Sequence, residues 1–151
     1  MKPNFATATA AAFMLAAPAF AAEGAAPTGD AAAGEEVFAK QCVTCHVVKD
    51  DSGELLAGRN GRQGPNLYGV AGAPVAHVED FKYGKSTMEA AEKGLEWTEE
   101  NFVGYVQDPT GWLRDVLEDD RARSKMSWKV RDEQDAKDLY AYLHSIGPDA
   151  E

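Results

Sequence analysis

The chain has 151 residues, 44% of them hydrophobic, and its 25 acidic against 15 basic side chains give a formal net charge of −10. An acid excess of this size argues against nucleic acid or an anionic membrane surface as the main partner. The length suits one domain once an export segment is set aside.

Residues 1–22, "MKPNFATATAAAFMLAAPAFAA", pair a single charge, Lys2, with an alanine-rich apolar run and the small-residue pattern Ala19-Phe20-Ala21. That is the form of a cleaved secretory signal peptide, and its apolar part is too short for a stable membrane span. Export would place the mature chain in the periplasm, an oxidising compartment. Residues 23–29 read as a flexible leader and 148–151 as a C-terminal tail, which leaves one domain over 30–147.

Asp30 is placed to cap a helix through "AAAGEEVFAKQC", with Ala33, Val37 and Phe38 on one face. From Val47 to Gly72 six glycines and Pro65 predict loop, with at most a short helical turn over Asn66 to Tyr68. Ser86-Thr87-Met88-Glu89 has the spacing of a capping box and predicts a helix that stops at Gly94. Thr98 caps the next helix, with Trp97 and Phe102 spaced as a hydrophobic staple, and Asp108-Pro109 ends it. Trp112, Leu113, Val116 and Leu117 predict a helix after Pro109 that fades near Asp120. Ala136, Leu139, Tyr140, Leu143 and Ile146 form the clearest stripe, with Asp132 as its cap and Gly147-Pro148 as its stop. No alternating strand is evident. The expected class is all-α, with long ordered loops that need something other than side chains to fill the middle.

The only two cysteines lie in "CVTCH", Cys42 to His46. A disulfide or thiol redox centre would call for a thioredoxin-like alternation of strands and helices, which is absent. Zinc wants two separated ligand pairs, and the neighbours Cys45 and His46 point different ways. Cys-x-x-Cys-His is the c-type haem attachment signal, in which both thiols add to vinyl groups and the adjacent imidazole is placed to ligate iron. For a sixth ligand the chain offers Met88, Met126, His77 and His144. Met88 reads as a core methionine of a short helix, His144 as a residue near the surface, and His77 as a loop residue either exposed or bonded locally. Met126 lies in non-helical "ARSKMSW", where the backbone is free to present its thioether. A thioether opposite an imidazole raises the potential relative to two imidazoles. It leaves no vacant site for a substrate, which is the chemistry of a carrier and not of an enzyme.

These residues resemble the class I cytochromes c, in particular the bacterial cytochrome c2 and c-550 group. "GDAAAGEEVFAKQCVTCH", "GPNLYGV", "FKYG", "LEWTEENFVGYVQDP", "SKMSW" and "DLYAYL" occur in the family's order over residues 30–147. The resemblance implies the class I cytochrome c fold, helices and ordered loops wrapped around one covalently attached haem c. It implies thioether links at Cys42 and Cys45, axial ligation by His46 and Met126, and a hydrogen bond from His46 to the Pro65 carbonyl. It sets Tyr105 near the Met126 sulfur, places Tyr83, Trp97 and Ser124 near the haem propionates, and crosses Gly34 and Phe38 with Leu139 and Tyr142. One departure is Ala73, where the family commonly carries an arginine; Arg59 and Arg62 are the substitutes the sequence offers.

Arg121, Arg123, Lys125, Lys129 and Arg131 flank Met126 without an intervening acid. By resemblance they form a docking face for acidic redox partners. The implied function is that of a soluble, monomeric electron carrier between a cytochrome bc1 complex and a photosynthetic reaction centre, terminal oxidase or periplasmic reductase. The alternatives are an electron-transfer subunit of one enzyme complex and a gas- or peroxide-reactive haem protein.

Overall fold

Helix α1, Ala31–Gln41, begins where Asp30 accepts hydrogen bonds from the backbone N–H groups of Ala32 (2.8 Å) and Ala33 (3.2 Å). The computed structural model to which it belongs describes residues 26–148, so the signal peptide and the end of the tail lie outside the described residues. The buried face of α1 is Gly34, Val37 and Phe38; Ala33, expected on that face, is exposed.

That face packs on the last helix, α5, Glu133–Ser145, as the resemblance implied. The two backbones approach so closely at Gly34 that a Cβ there would overlap the Asp138 carbonyl, which only glycine avoids. Beside this contact the Phe38 and Tyr142 rings sit 5.8 Å apart. The buried Asp138 carboxylate accepts from the Asp30 N–H (2.7 Å) and from Gln134 Nε2 (2.8 Å), tying the start of α1 to α5.

Helix α2, Lys85–Glu92, starts one residue before Ser86, and its N-cap Gly84 offers no side-chain bond. The expected capping box is therefore not made. Ser86 is buried, and its Oγ accepts from the distant Arg123 N–H (3.2 Å), so a tertiary bond takes the place of a local one. Met88, expected in the core, is 45% exposed. Gly94 follows the helix with φ of 74°, the left-handed stop the sequence predicts.

Helix α3, Glu99–Gln107, is capped by Thr98, which accepts from the Asn101 N–H (3.2 Å). Thr28 donates from its N–H and Oγ1 to Glu99 (3.0 and 2.9 Å), which fastens the end of the leader to α3. Asp108 ends α3 and caps α4, Pro109–Leu117, by accepting from the Gly111 N–H (3.1 Å). Trp97, Tyr105 and Trp112 form one ring cluster with centroids 5.0 to 5.6 Å apart, and Phe102 meets Tyr140 at 5.4 Å.

Between α1 and α2 the structure corrects the all-loop expectation. Strands β1, Val47–Lys49, and β2, Leu55–Gly58, pair antiparallel, with Val47 opposite Gly58 and Val48 opposite Ala57. Asp50 turns the hairpin by accepting from the Ser52 (2.9 Å) and Glu54 (2.8 Å) N–H groups, and Gly53 adopts φ of 86°. Asn66 to Tyr68 forms no helical turn; the Asn66 side chain instead brackets Lys49, accepting from its N–H (2.9 Å) and donating to its carbonyl (2.7 Å). The described residues thus hold five helices and one small hairpin, and none of the helices is long and apolar enough to cross a membrane.

Candidate functional site

The CVTCH run turns sharply at the end of α1. Cys42 is the helix C-cap, and its carbonyl accepts from the N–H groups of Cys45 (3.1 Å) and His46 (3.0 Å), so both thiols and the imidazole emerge from one turn. The following loop closes against it: Gly64 N–H donates to the Cys45 carbonyl (2.9 Å). A Cβ at Gly64 would collide with the His46 ring, so the absence of a side chain there lets the imidazole lie flat on the loop.

His46 Nδ1 stands 2.9 Å from the Pro65 carbonyl, the contact the resemblance implies. A carbonyl only accepts, so Nδ1 carries the proton and donates, and the lone pair is left on Nε2. Burial pushes the His46 pKa down, against a smaller upward effect of the Pro65 contact, and so favours the neutral ligand form.

Burial, with a smaller contribution from Cys45, pushes the Cys42 thiol up to about 12. A reactive or zinc-binding cysteine needs the thiolate near neutral pH, and this environment opposes it. The two sulfurs are not joined, and among the described residues no three His, Cys, Asp or Glu side chains gather as a metal site.

Cys42, Cys45 and His46 line a cavity of about 450 Å³, within the range of about 300–1,000 Å³ usual for cofactor sites. Met126 lines the same cavity from residues 121–131, an extended segment held from several elements. Besides the Ser86 bond, Ser124 N–H donates to Thr110 Oγ1 (3.2 Å) and Val130 N–H to the Val106 carbonyl (2.9 Å). Ser124 Oγ accepts from the Met126 N–H (3.0 Å) and shares a hydrogen bond with the Tyr105 hydroxyl (2.9 Å). Ser124 and Tyr105 therefore fix the backbone that presents the thioether.

Tyr83 and Trp97 also line the cavity, Tyr83 with its hydroxyl accepting from the Val78 N–H (3.3 Å). Of the other ligand candidates His77 lines it, whereas Met88 and His144 do not, nor do Arg59 and Arg62. No carboxylate lines the cavity, while Lys40 and Lys125 do, which suits an apolar ring bearing negative groups. The basic run is exposed, but two of its members are already paired: Arg121 with Asp119 (3.2 Å) and Lys129 with Asp108 (2.8 Å). Lys125 Nζ donates to the Lys82 carbonyl (2.7 Å), which keeps it beside the cavity.

Sequence reasoning did not find Gly64, Thr110 or Asn66. The first could have been suspected from a glycine next to the expected Pro65 contact; the other two carry no local signal, since their partners lie 14 and 17 residues away.

Two thiols and an imidazole on one turn, a latched thioether, and an apolar cavity free of carboxylates inside a helical shell fit one haem bound as in a c-type cytochrome. The comparisons agree. A family model described as cytochrome c oxidase, cbb3-type, subunit III, matches residues 29–107, ending before Met126. Cytochrome c2 of Rhodovulum adriaticum is 58% identical over 120 residues, spanning 80% of this chain and 94% of that protein. Cytochrome c-550 of Paracoccus denitrificans is 44% identical over 95% of this chain and 88% of its own length. The solved cytochrome c2 from Rhodobacter sphaeroides superposes with a TM-score of 0.76 at 49% identity, covering 79% of this chain and 97% of that one. The chain belongs to the class I cytochrome c family, within its cytochrome c2 and c-550 group. It is a haem c protein with the class I fold.

Proposed function

We propose that the protein is a soluble, monomeric periplasmic carrier of single electrons, with haem c attached through Cys42 and Cys45 and iron held between His46 and Met126. The observation that carries this reading is that His46, with Nδ1 engaged by Pro65, and Met126, latched by Ser124, line one apolar cavity. The bound haem supplies one-electron Fe(II)/Fe(III) chemistry.

The chain's own residues do the rest. Pro65 holds the imidazole's tautomer and orientation. The Ser124 and Tyr105 pair holds the Met126 backbone so that little moves between oxidation states. Tyr105 and Tyr83, both half-buried, have hydroxyls whose pKa burial raises, so they stay protonated at the cavity. Were His46 and Met126 both to hold the iron, no site would remain for substrate, which favours a carrier over a gas- or peroxide-reactive protein.

Donors and acceptors are, on this reading, a cytochrome bc1-type complex and a reaction centre, terminal oxidase or periplasmic reductase. The exposed Arg123, Lys125 and Arg131, together with the ion-paired Arg121 and Lys129, form a basic face beside Met126 on a chain of net charge −10, an arrangement that orients encounter with an acidic partner. The second-order rate of reduction by a bc1-type complex is expected to fall as ionic strength rises. Arg123→Glu with Arg131→Glu should lower it roughly tenfold at low salt and flatten the dependence. A rate that is flat or rises with salt in the unmodified protein would remove the docking assignment.

A further inference from the structure

Trp128 is the most exposed of the large hydrophobic side chains among the described residues, with 56% of its surface open. Leu55, Leu56 and Met88 are the other exposed ones, and of the four only Trp128 lines the cavity of His46 and Met126. A single exposed apolar side chain is ordinary on a protein surface and by itself asks for no explanation. What sets Trp128 apart is that its outer end is held.

The indole Nε1–H donates to Gln41 Oε1 (3.3 Å), and Gln41 Nε2 donates to Asp135 Oδ2 (3.4 Å). An indole N–H only donates and a carboxylate accepts, so the group between them must offer an acceptor on one side and a donor on the other. A primary amide does this; lysine, ionised glutamate or leucine at position 41 could not. Each end of the bridge is anchored in turn. Gln41 is the last residue of α1, and Asp135 lies in the first turn of α5, where its N–H donates to Asp132 (3.2 Å).

The backbone on either side of Trp128 is already fixed, by the Met126 bond to Ser124 and the Val130 bond to Val106. Those bonds leave the direction of the indole open, and the Gln41 amide is the polar contact that sets it. The consequence lies in what the ring separates. Gln41, Ser127 and Trp128 line both the cavity and an adjoining surface groove that also includes Lys129, Arg131 and Asp135. These three residues form the wall between the space for the haem and the basic face beside Met126. We propose that Gln41 is a positioning residue for electron transfer, holding the Trp128 indole in that wall so that an acidic redox partner meets the ring in one fixed orientation. The inference rests on the carrier reading above. It deepens that reading by assigning the geometry of the wall to an amide at the end of α1.

The test uses the haem-loaded protein, Gln41→Leu, Trp128→Phe and the double variant. Leucine fills similar space without either bond, and phenylalanine keeps a ring without the N–H. Reduction is timed with a bc1-type complex and with ascorbate, a small donor that needs no docking, and nitrogen NMR follows hydrogen exchange of the Trp128 indole N–H. Gln41→Leu is expected to speed the indole exchange and to slow reduction by the complex, each about fivefold, the scale of one lost hydrogen bond. The ascorbate rate and the midpoint potential should stay where they were. In the Trp128→Phe background the same substitution should change neither rate, because its effect passes through the indole N–H. Unchanged exchange, or unchanged reduction by the complex, in Gln41→Leu overturns the inference. So does a parallel fall in the ascorbate rate, or an equal slowing in the Trp128→Phe background, since Gln41 would then act only on the fold. Should Gln41→Leu fold poorly, Gln41→Met serves in its place. The carrier reading is judged apart, by whether the unmodified protein accepts electrons from the complex at all; if it does not, that reading falls and takes the inference with it.

Discussion

Gly34→Val is expected to lower stability by about 3 kcal/mol or more, at or beyond the usual overpacking range. The new side chain would begin inside the Asp138 carbonyl and 2.8 Å from Tyr142 Cβ. Both obstacles belong to α5 close to its backbone, so no rotamer relieves them and the two helices must part. The same movement would strain the Asp138 bonds to Asp30 and Gln134 and the Phe38–Tyr142 contact. Ala33→Val, one position away on the exposed face, should cost under about 1 kcal/mol, the helix penalty of a β-branched residue. Chemical denaturation of the haem-loaded forms measures both, and equal costs would show that the helix crossing is not tightly packed.

Replacing both cysteines, Cys42→Ser with Cys45→Ser, is expected to abolish covalent haem and, in chain purified without haem, cooperative folding as well. A cavity near 450 Å³ costs on the order of 10 kcal/mol at about 24 cal/mol per Å³, comparable to the whole stability of a domain of this size. The shell of helices is therefore not expected to fold stably around that space. Each single variant keeps one thiol and should retain haem through one bond. Mass spectrometry under denaturing conditions reads the attachment and calorimetry the unfolding. A haem-free double variant that melts cooperatively would mean the core is complete without the ring.

The helices were legible because their signals are local. Asp30, Thr98 and Asp132 cap the helices they were expected to cap, and Asp108-Pro109 divides α3 from α4 as read. The hairpin was not legible, since strands of three and four residues are too short to display alternation. Its signal was the turn "DDSG" between the short apolar pairs Val47-Val48 and Leu55-Leu56. Ser86 misled for the opposite reason: its spacing to Glu89 mimics a capping box, while its hydroxyl serves a backbone group 37 residues away. At the site, Cys42, Cys45, His46 and Met126 were singled out from a motif and an ordered set of segments, and the structure brings the four to one cavity. Gly64 and Thr110 work through packing and long-range bonds that have no signature along the chain.

The proposed carrier requires one coordinate bond, from the Met126 sulfur to the haem iron that His46 would also hold. Near-infrared absorption of the oxidised protein, before and after Met126→Ala, reads that bond directly. The expected result is a weak sulfur-to-iron charge-transfer band in the unmodified protein that vanishes in the variant, together with carbon monoxide binding to the reduced variant and little to the unmodified protein. A band that persists in Met126→Ala, or ready carbon monoxide binding by the unmodified protein at neutral pH, would contradict the closed carrier.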